Sequence, residues 1–155
     1  MKLKKIQIQI QMRKKGILKQ TINNKTKQIL SALGYENNEI SIVMTGDNEI
    51  KKLNNKFRGI SKPTNVLAFP MLNNDFSLIN PELLGDIVIS VETAEKEAQK
   101  FGISLGERIS QLLIHGILHL IGFDHEAGKL NADKMRKKSL ELIQLIEKNS
   151  NVEVF

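Results

Sequence analysis

Cysteine is absent from the 155 residues, which excludes disulfides and leaves nitrogen and oxygen as the ligands for any bound metal. No apolar run approaches the roughly 18 residues that a membrane span requires, so a membrane protein is not expected. The start, Met1-Lys2-Leu3-Lys4-Lys5, is basic like a secretory signal. The apolar segment that should follow is missing, because Ile6, Ile8 and Ile10 alternate with glutamines instead. A cytoplasmic location is therefore expected. Repeats and flexible linkers are also lacking. Histidine is scarce, with three in the chain, and all three stand between positions 115 and 125.

The length suits one domain, residues 1–155, with enough chain to bury a core. A net charge of +6 and a pI near 9.5 fit a polyanionic partner such as RNA. A composition rich in lysine and asparagine also arises without any binding role, so charge alone does not decide this.

Hydrophobic spacing predicts the elements. Ile6, Ile8, Ile10 and Met12 alternate with polar residues, as in a strand with one buried face. Ile22, Thr26, Ile29, Leu30 and Leu33 recur at helical spacing and predict a helix from Lys19 to Leu33, stopped by Gly34. Glu39 to Thr45 reads as a second strand. Asp47 is placed to cap a helix with Ile50, Leu53 and Phe57 inward. The run Val66-Leu67-Ala68-Phe69, closed by Pro70, predicts a third strand at a sheet edge. Met71 to Leu84 reads as a surface excursion, and Gly85 to Ser90 as a fourth strand. Val91, Ala94, Ala98 and Phe101 give a helix ending at Gly102. Ser104 and Glu107 form a capping-box pattern that opens the helix bearing His115 and His119. A last helix buries Met135, Ser139, Leu142, Ile143 and Ile146. The order β, α, β, α, β, β, α, α, α does not alternate as a doubly wound sheet does. It predicts an α+β domain: a mixed sheet of about four strands, packed by about five helices, with a central buried metal-binding helix.

The chemistry concentrates in His115-Gly116-Ile117-Leu118-His119-Leu120-Ile121-Gly122-Phe123-Asp124-His125. His115 and His119 stand four apart and face the same way one helical turn on. Gly122 follows where a left-handed residue ends a helix, and the turn carries His125 toward a third ligand position. A structural cluster of hydrogen-bonded imidazoles is the alternative. Each unpaired imidazole in so apolar a run would cost roughly 1–3 kcal/mol, and one shared metal ion satisfies all three. Three protein ligands leave a fourth position open, the arrangement of catalytic zinc. The spacing H-x-x-x-H-x-x-G-x-x-H is also that of metzincin proteases. Their general-base glutamate would fall at 116, where this chain has Gly116. Proton transfer by such a base is worth roughly 10²–10⁴ in rate.

The same stretch resembles the H-G-x-L-H-L-x-G-[YF]-D-H signature of the YbeY family, single-domain bacterial endoribonucleases associated with ribosomal RNA maturation and ribosome quality control. Arg58 followed by Pro63-Thr64-Asn65-Val66-Leu67-Ala68-Phe69-Pro70, and Leu84-Gly85-Asp86-Ile87-Val88-Ile89-Ser90, agree in content and order. The resemblance implies that His115, His119 and His125 hold one zinc ion and that Arg58 is the functional arginine. It also implies RNA, the ribosome or ribosome-associated proteins as partners. Ser61, Ala68 and Phe123 depart from the commoner acidic residue, serine and tyrosine. An arginine also suits the role on chemical grounds, as a bidentate phosphate ligand, although one at a helix end equally favours the dipole. Lys62 is a further candidate phosphate contact. Asp86 and Asp124 are candidates to orient ligand imidazoles, and Asp124 is equally placed to cap the turn after Gly122. The expected activity is a zinc-dependent, single-strand-specific endoribonuclease. A metzincin-like protease or other zinc hydrolase, and a non-catalytic ribosome assembly factor with a structural metal, stand as alternatives.

Overall fold

The computed structural model describes residues 5–71, 82–123 and 128–148. The Met71–Leu84 excursion falls largely outside them, as do Asp124 and His125. Nine elements follow in the expected order. They are β1 (Ile6–Ile10), α1 (Lys19–Leu33), β2 (Glu39–Thr45), α2 (Asp47–Arg58), β3 (Val66–Pro70), β4 (Leu83–Ser90), α3 (Val91–Phe101), α4 (Leu105–Leu120) and α5 (Lys129–Glu147).

The strands form one mixed sheet in the order β1-β2-β4-β3. The first two pairings are parallel and the last is antiparallel, so β3 lies at an edge, where its terminal proline leaves no ladder donor missing from the interior. Alternation along the strands divides the apolar residues between two faces. Ile40, Ile42, Met44, Ile87 and Ile89 enter the main core with α1, α4 and α5. Leu67 and Val88 turn the other way and meet Ile50 of α2 in a smaller cluster.

Between these faces sits a register irregularity opposite Glu39 and Ile40. It lets Leu84 and Ile87, three apart, both enter the main core. Gly85 makes this possible with φ of 144°. A Cβ at that position would lie 2.2 Å from the Phe69 carbonyl oxygen and 3.0 Å from a Leu120 methyl. Glycine is therefore required where β3, β4 and the end of α4 converge.

Helix α4 is the centre of the domain. Every residue from Arg108 to Leu120 is buried except His115 and His119, which are half-buried. The Ser104 hydroxyl accepts from the Glu107 N–H at 3.0 Å, as the capping pattern predicts. Glu147, at the end of α5, accepts from Ser110 of α4 and pairs with Lys25 of α1 at 3.5 Å. Burial pushes the Lys25 ammonium below its ordinary pKa, and Glu147 opposes that shift only in part.

Two expectations need correction. Phe57 and Phe101 are not core residues, since they are 57% and 51% exposed. The last turn of α2 overhangs the edge of the sheet, where Phe57 meets the Phe69 ring edge-on at 5.0 Å and lies under the Lys56 ammonium at 5.2 Å. Phe101 ends α3 and is covered by the Arg108 guanidinium at 5.2 Å. Asp47 is the first residue inside α2, with Gly46 at the cap position. Its carboxylate reaches sideways and accepts from the Ser90 and Thr93 hydroxyls at 2.6 and 2.5 Å and from Lys96 at 3.2 Å. This fastens α2 to the start of α3.

Burial raises the Asp47 pKa, but the Ser90, Thr93 and Lys96 contacts outweigh it and leave the group below its ordinary value. A depressed folded-state pKa stabilises fully above the unfolded value of about 3.9 and is lost as pH falls through the folded one. Asp47→Asn is thus expected to be less stable than the parent at pH 7, with the two urea midpoints converging below about pH 4. A gap that stays constant through the acid range would contradict this.

Candidate metal centre

The two histidines of α4 sit side by side. Their rings meet at 73° with centroids 4.6 Å apart, and the Nε2 atoms approach to 3.1 Å. Two nitrogens bound about 2.05 Å from one tetrahedral ion stand about 3.3 Å apart, so the pair fits a shared metal almost without adjustment. The orientation follows from the helix. Gly116 packs on Ile87, and Leu120 lies beside Gly85, so positions 116 and 120 face the sheet. Positions 115 and 119 are rotated from these by about 100°, and the imidazoles emerge beside the sheet instead of beneath it.

Beyond the pair, α4 ends in a Schellman turn. The Gly122 N–H donates to the His119 carbonyl at 3.2 Å and the Phe123 N–H to that of Leu118 at 2.9 Å. Gly122 adopts φ of 103°, the left-handed conformation expected of it. The chain therefore reverses at the point where the sequence pattern requires it. His125 lies outside the described residues, and among those described no group of three or more His, Asp or Glu gathers at one point.

Gly116 has a role the sequence did not disclose. A Cβ on it would lie 3.0–3.3 Å from three carbons of the Ile87 side chain. The residue is glycine so that the helix can press onto β4. The same contact closes the space in which a protease's glutamate would stand.

Arg58 is not in contact with the histidines. It ends α2 and is exposed, and no ion pair engages it among the described residues. Gly59, left-handed at φ of 71°, turns the chain into the segment that leads to β3. On that strand Val66 and Ala68 pack toward the core that contains α4, while Leu67 and Phe69 pack toward α2. The arginine and the imidazoles thus flank the same edge strand from opposite faces. Asp86 shares the strand face of Val88, the α2 face, and no hydrogen bond joins it to either imidazole. Lys62 is exposed. Its carbonyl accepts from the Asn54 amide at 2.9 Å.

That amide belongs to a set of polar residues the sequence reading passed over. Asn54 is 2% exposed, and its Oδ1 has no partner. It holds the loop after Arg58 to α2. At the other end of the loop, the Asn65 amide reaches both Glu97 oxygens at 3.3 Å. The Asn65 carbonyl accepts from the Ser90 N–H at 3.0 Å. Glu97 also pairs with Arg108 at 3.1 Å, and Arg108 donates to Gln111 at 2.6 Å. A continuous polar chain therefore runs from the Arg58 loop through α3 into the histidine helix. The signal for it was an arginine and a glutamine inside an otherwise apolar helix.

Sheet order, helix arrangement and histidine pair together define the class, an α+β fold whose central buried helix carries two adjacent histidines. The solution structure of a Thermotoga maritima protein has the same fold, with a TM-score of 0.67 and 28% identity over 92% of this chain and 89% of that one. The family described as endoribonuclease YbeY matches residues 4–147. The Geobacter metallireducens protein of that name is 42% identical over 127 residues, 81% of this chain and 85% of its own length. The Aquifex aeolicus one is 41% identical over 136 residues, 88% and 89% of the two chains. The chain belongs to the endoribonuclease YbeY family.

Tight packing at Gly116 sets an expectation for two substitutions. In Gly116→Ala the gain in helix propensity of about 1 kcal/mol offsets most of the crowding, so stability should change by no more than about 1 kcal/mol. Gly116→Glu forces a carboxylate into the core and should lower stability by at least about 3 kcal/mol. Denaturant titration of both proteins checks this, and a stable Gly116→Glu variant would show that the helix can stand away from the sheet.

Proposed function

We propose that this chain is a metal-dependent, single-strand-specific endoribonuclease that acts in ribosomal RNA maturation and ribosome quality control. One zinc ion is held by His115, His119 and His125, and Arg58 grips a phosphate of the substrate. The observation that carries this reading is the 3.1 Å convergence of two Nε2 atoms at the two half-buried positions within the otherwise buried stretch Arg108–Leu120. Family membership and the net charge of +6 support RNA as the substrate. Ribosomal RNA, together with the ribosome or its associated proteins, is the partner in this proposal, and the cytoplasm its place. Among the described residues no helix is long and apolar enough to cross a membrane.

A zinc ion at these imidazoles would supply Lewis acidity toward a phosphoryl oxygen. The other parts of the chemistry rest on this chain's side chains. Arg58 offers a planar, permanently charged fork that binds two phosphate oxygens at once. Its exposure at a helix end leaves the fork accessible. The Asn54 and Asn65 contacts fix both ends of the loop beside it, so the guanidinium projects from an ordered base. The Schellman turn directs the chain from His119 toward His125. No peptide-cleaving base stands at position 116, and the packing on Ile87 leaves no volume for one.

The decisive measurement is cleavage of a single-stranded RNA by rigorously purified protein, with bound metal determined on the same samples. Parent protein should carry about one zinc per chain and cut the RNA. His115→Ala should lose both metal and cleavage. Arg58→Ala should keep its metal and lose roughly 10²–10³ in rate, with Arg58→Lys intermediate. Undiminished cleavage in both the His115 and Arg58 variants would overturn the proposal.

A further inference from the structure

The opposite edge of the sheet carries a second feature. The ladder from β1 to β2 uses the odd-numbered residues. The Lys5 carbonyl accepts from the Ile40 N–H, and the Gln11 N–H donates to the Met44 carbonyl, both at 2.8 Å. In a parallel pair the intervening residues then point their N–H and C=O groups the other way. Ile6, Ile8 and Ile10 therefore present backbone donors and acceptors to the outside, and β1 has no further strand beside it among the described residues.

A groove of about 940 Å³ runs along this edge between β1 and α1. Ile6, Ile8 and Leu30 line it as an apolar floor, and Gln20, Asn23 and Lys27 form one wall from a single face of α1. Lys5 and Lys19 add two more cations, against one carboxylate from Glu36. Lys19 and Lys27 are exposed and have no ion-pair partner among the described residues. A five-residue strand spans about 16 Å, enough for an extended segment of similar length to lie alongside.

We propose that this groove takes an extended, acidic segment of a partner protein, which joins the sheet as a fifth strand beside β1. Backbone pairing at an open edge supplies affinity, and the alternation of side chains along the added strand supplies selectivity. Residues turned toward Ile6, Ile8 and Leu30 are apolar. Residues turned toward Lys19 and Lys27 are aspartate or glutamate. A nucleic acid fits the surface less well, because no aromatic side chain lines it for base stacking, and the outward N–H and C=O row matches a peptide's repeat. The site lies at the far edge of the sheet from β3 and does not depend on the catalytic reading.

The test is selection of a random 12-residue peptide library displayed on phage against the intact protein, followed by synthesis of the enriched peptides. Enriched sequences should alternate apolar with acidic residues, and in NMR titrations they should shift the amides of Ile6, Ile8 and Ile10. The double variant Lys19→Glu/Lys27→Glu, altered only on exposed helix positions, should bind them at least tenfold more weakly. Ile8→Pro should do the same. It removes an outward N–H that takes no part in the ladder, so the Gln7 and Gln9 amides should keep their hydrogen-exchange protection. An oligouridylate should leave the three isoleucine amides unmoved. The proposal is overturned if no sequence is enriched, if enriched peptides bind the double variant as well as the parent, or if the oligouridylate binds this edge more tightly than any peptide.

Discussion

The contact between Gly116 and Ile87 governs the arrangement of this domain. A helix ordinarily stands off a sheet by the thickness of its side chains, and here one residue without a side chain removes that spacing at a single point. The helix then lies close to β4, with its neighbouring positions wedged against the sheet and against α1, α3 and α5. Gly85 does the equivalent on the strand side by letting the Phe69 carbonyl and the Leu120 side chain converge on the backbone. Two glycines on different elements thus set the depth at which α4 docks. Since the imidazoles are rotated by about 100° from the docking face, that depth also decides how far they project.

Polar contacts then connect this centre to the loop bearing Arg58. Removing one partner of a buried ion pair leaves a charge without compensation, which typically costs 3–5 kcal/mol. Arg108 is placed so that this does not arise. Its guanidinium is shared between Glu97 and Gln111, and Glu97 in turn holds the Asn65 amide. The connection therefore has a structural consequence beyond its own stability: the Asn65 end of the Arg58 loop is referenced to the same helix as the histidines. Asn54 holds the other end of the loop to α2, with its side-chain oxygen left unpartnered in the interior.

The two faces of the sheet differ in character. One carries the large core and the histidine helix, and the other carries a small cluster around Ile50, Leu67 and Val88. Arg58 belongs to the thinner layer, at a helix end that overhangs the edge strand.

Much of this was legible in order along the chain. Local periodicity yielded β2 at Glu39–Thr45 and α1 at Lys19–Leu33 with the observed limits, because strand alternation and the stop at Gly34 are properties of neighbouring residues. The same holds for the His115–His119 pair and the turn at Gly122, where spacing alone determines which side chains share a helix face. What failed to be legible involved residues far apart in sequence. Phe57 and Phe101 have the right period for a core yet lie past its edge, since burial depends on what another element places opposite. Gly116 read as a missing base and turned out to be a packing contact, because only the docked sheet reveals Ile87 beneath it. Sequence by itself determined the elements, the pairing of His115 with His119 on one helix face and the class of fold; tertiary structure alone decided which strands form the sheet edges among the described residues, which face Arg58 and Asp86 occupy, and how closely α4 approaches β4. The reason is physical: helical and strand spacing are written in residues a few positions apart, whereas the meeting of two surfaces is set by side-chain volumes that come together only when the chain has folded.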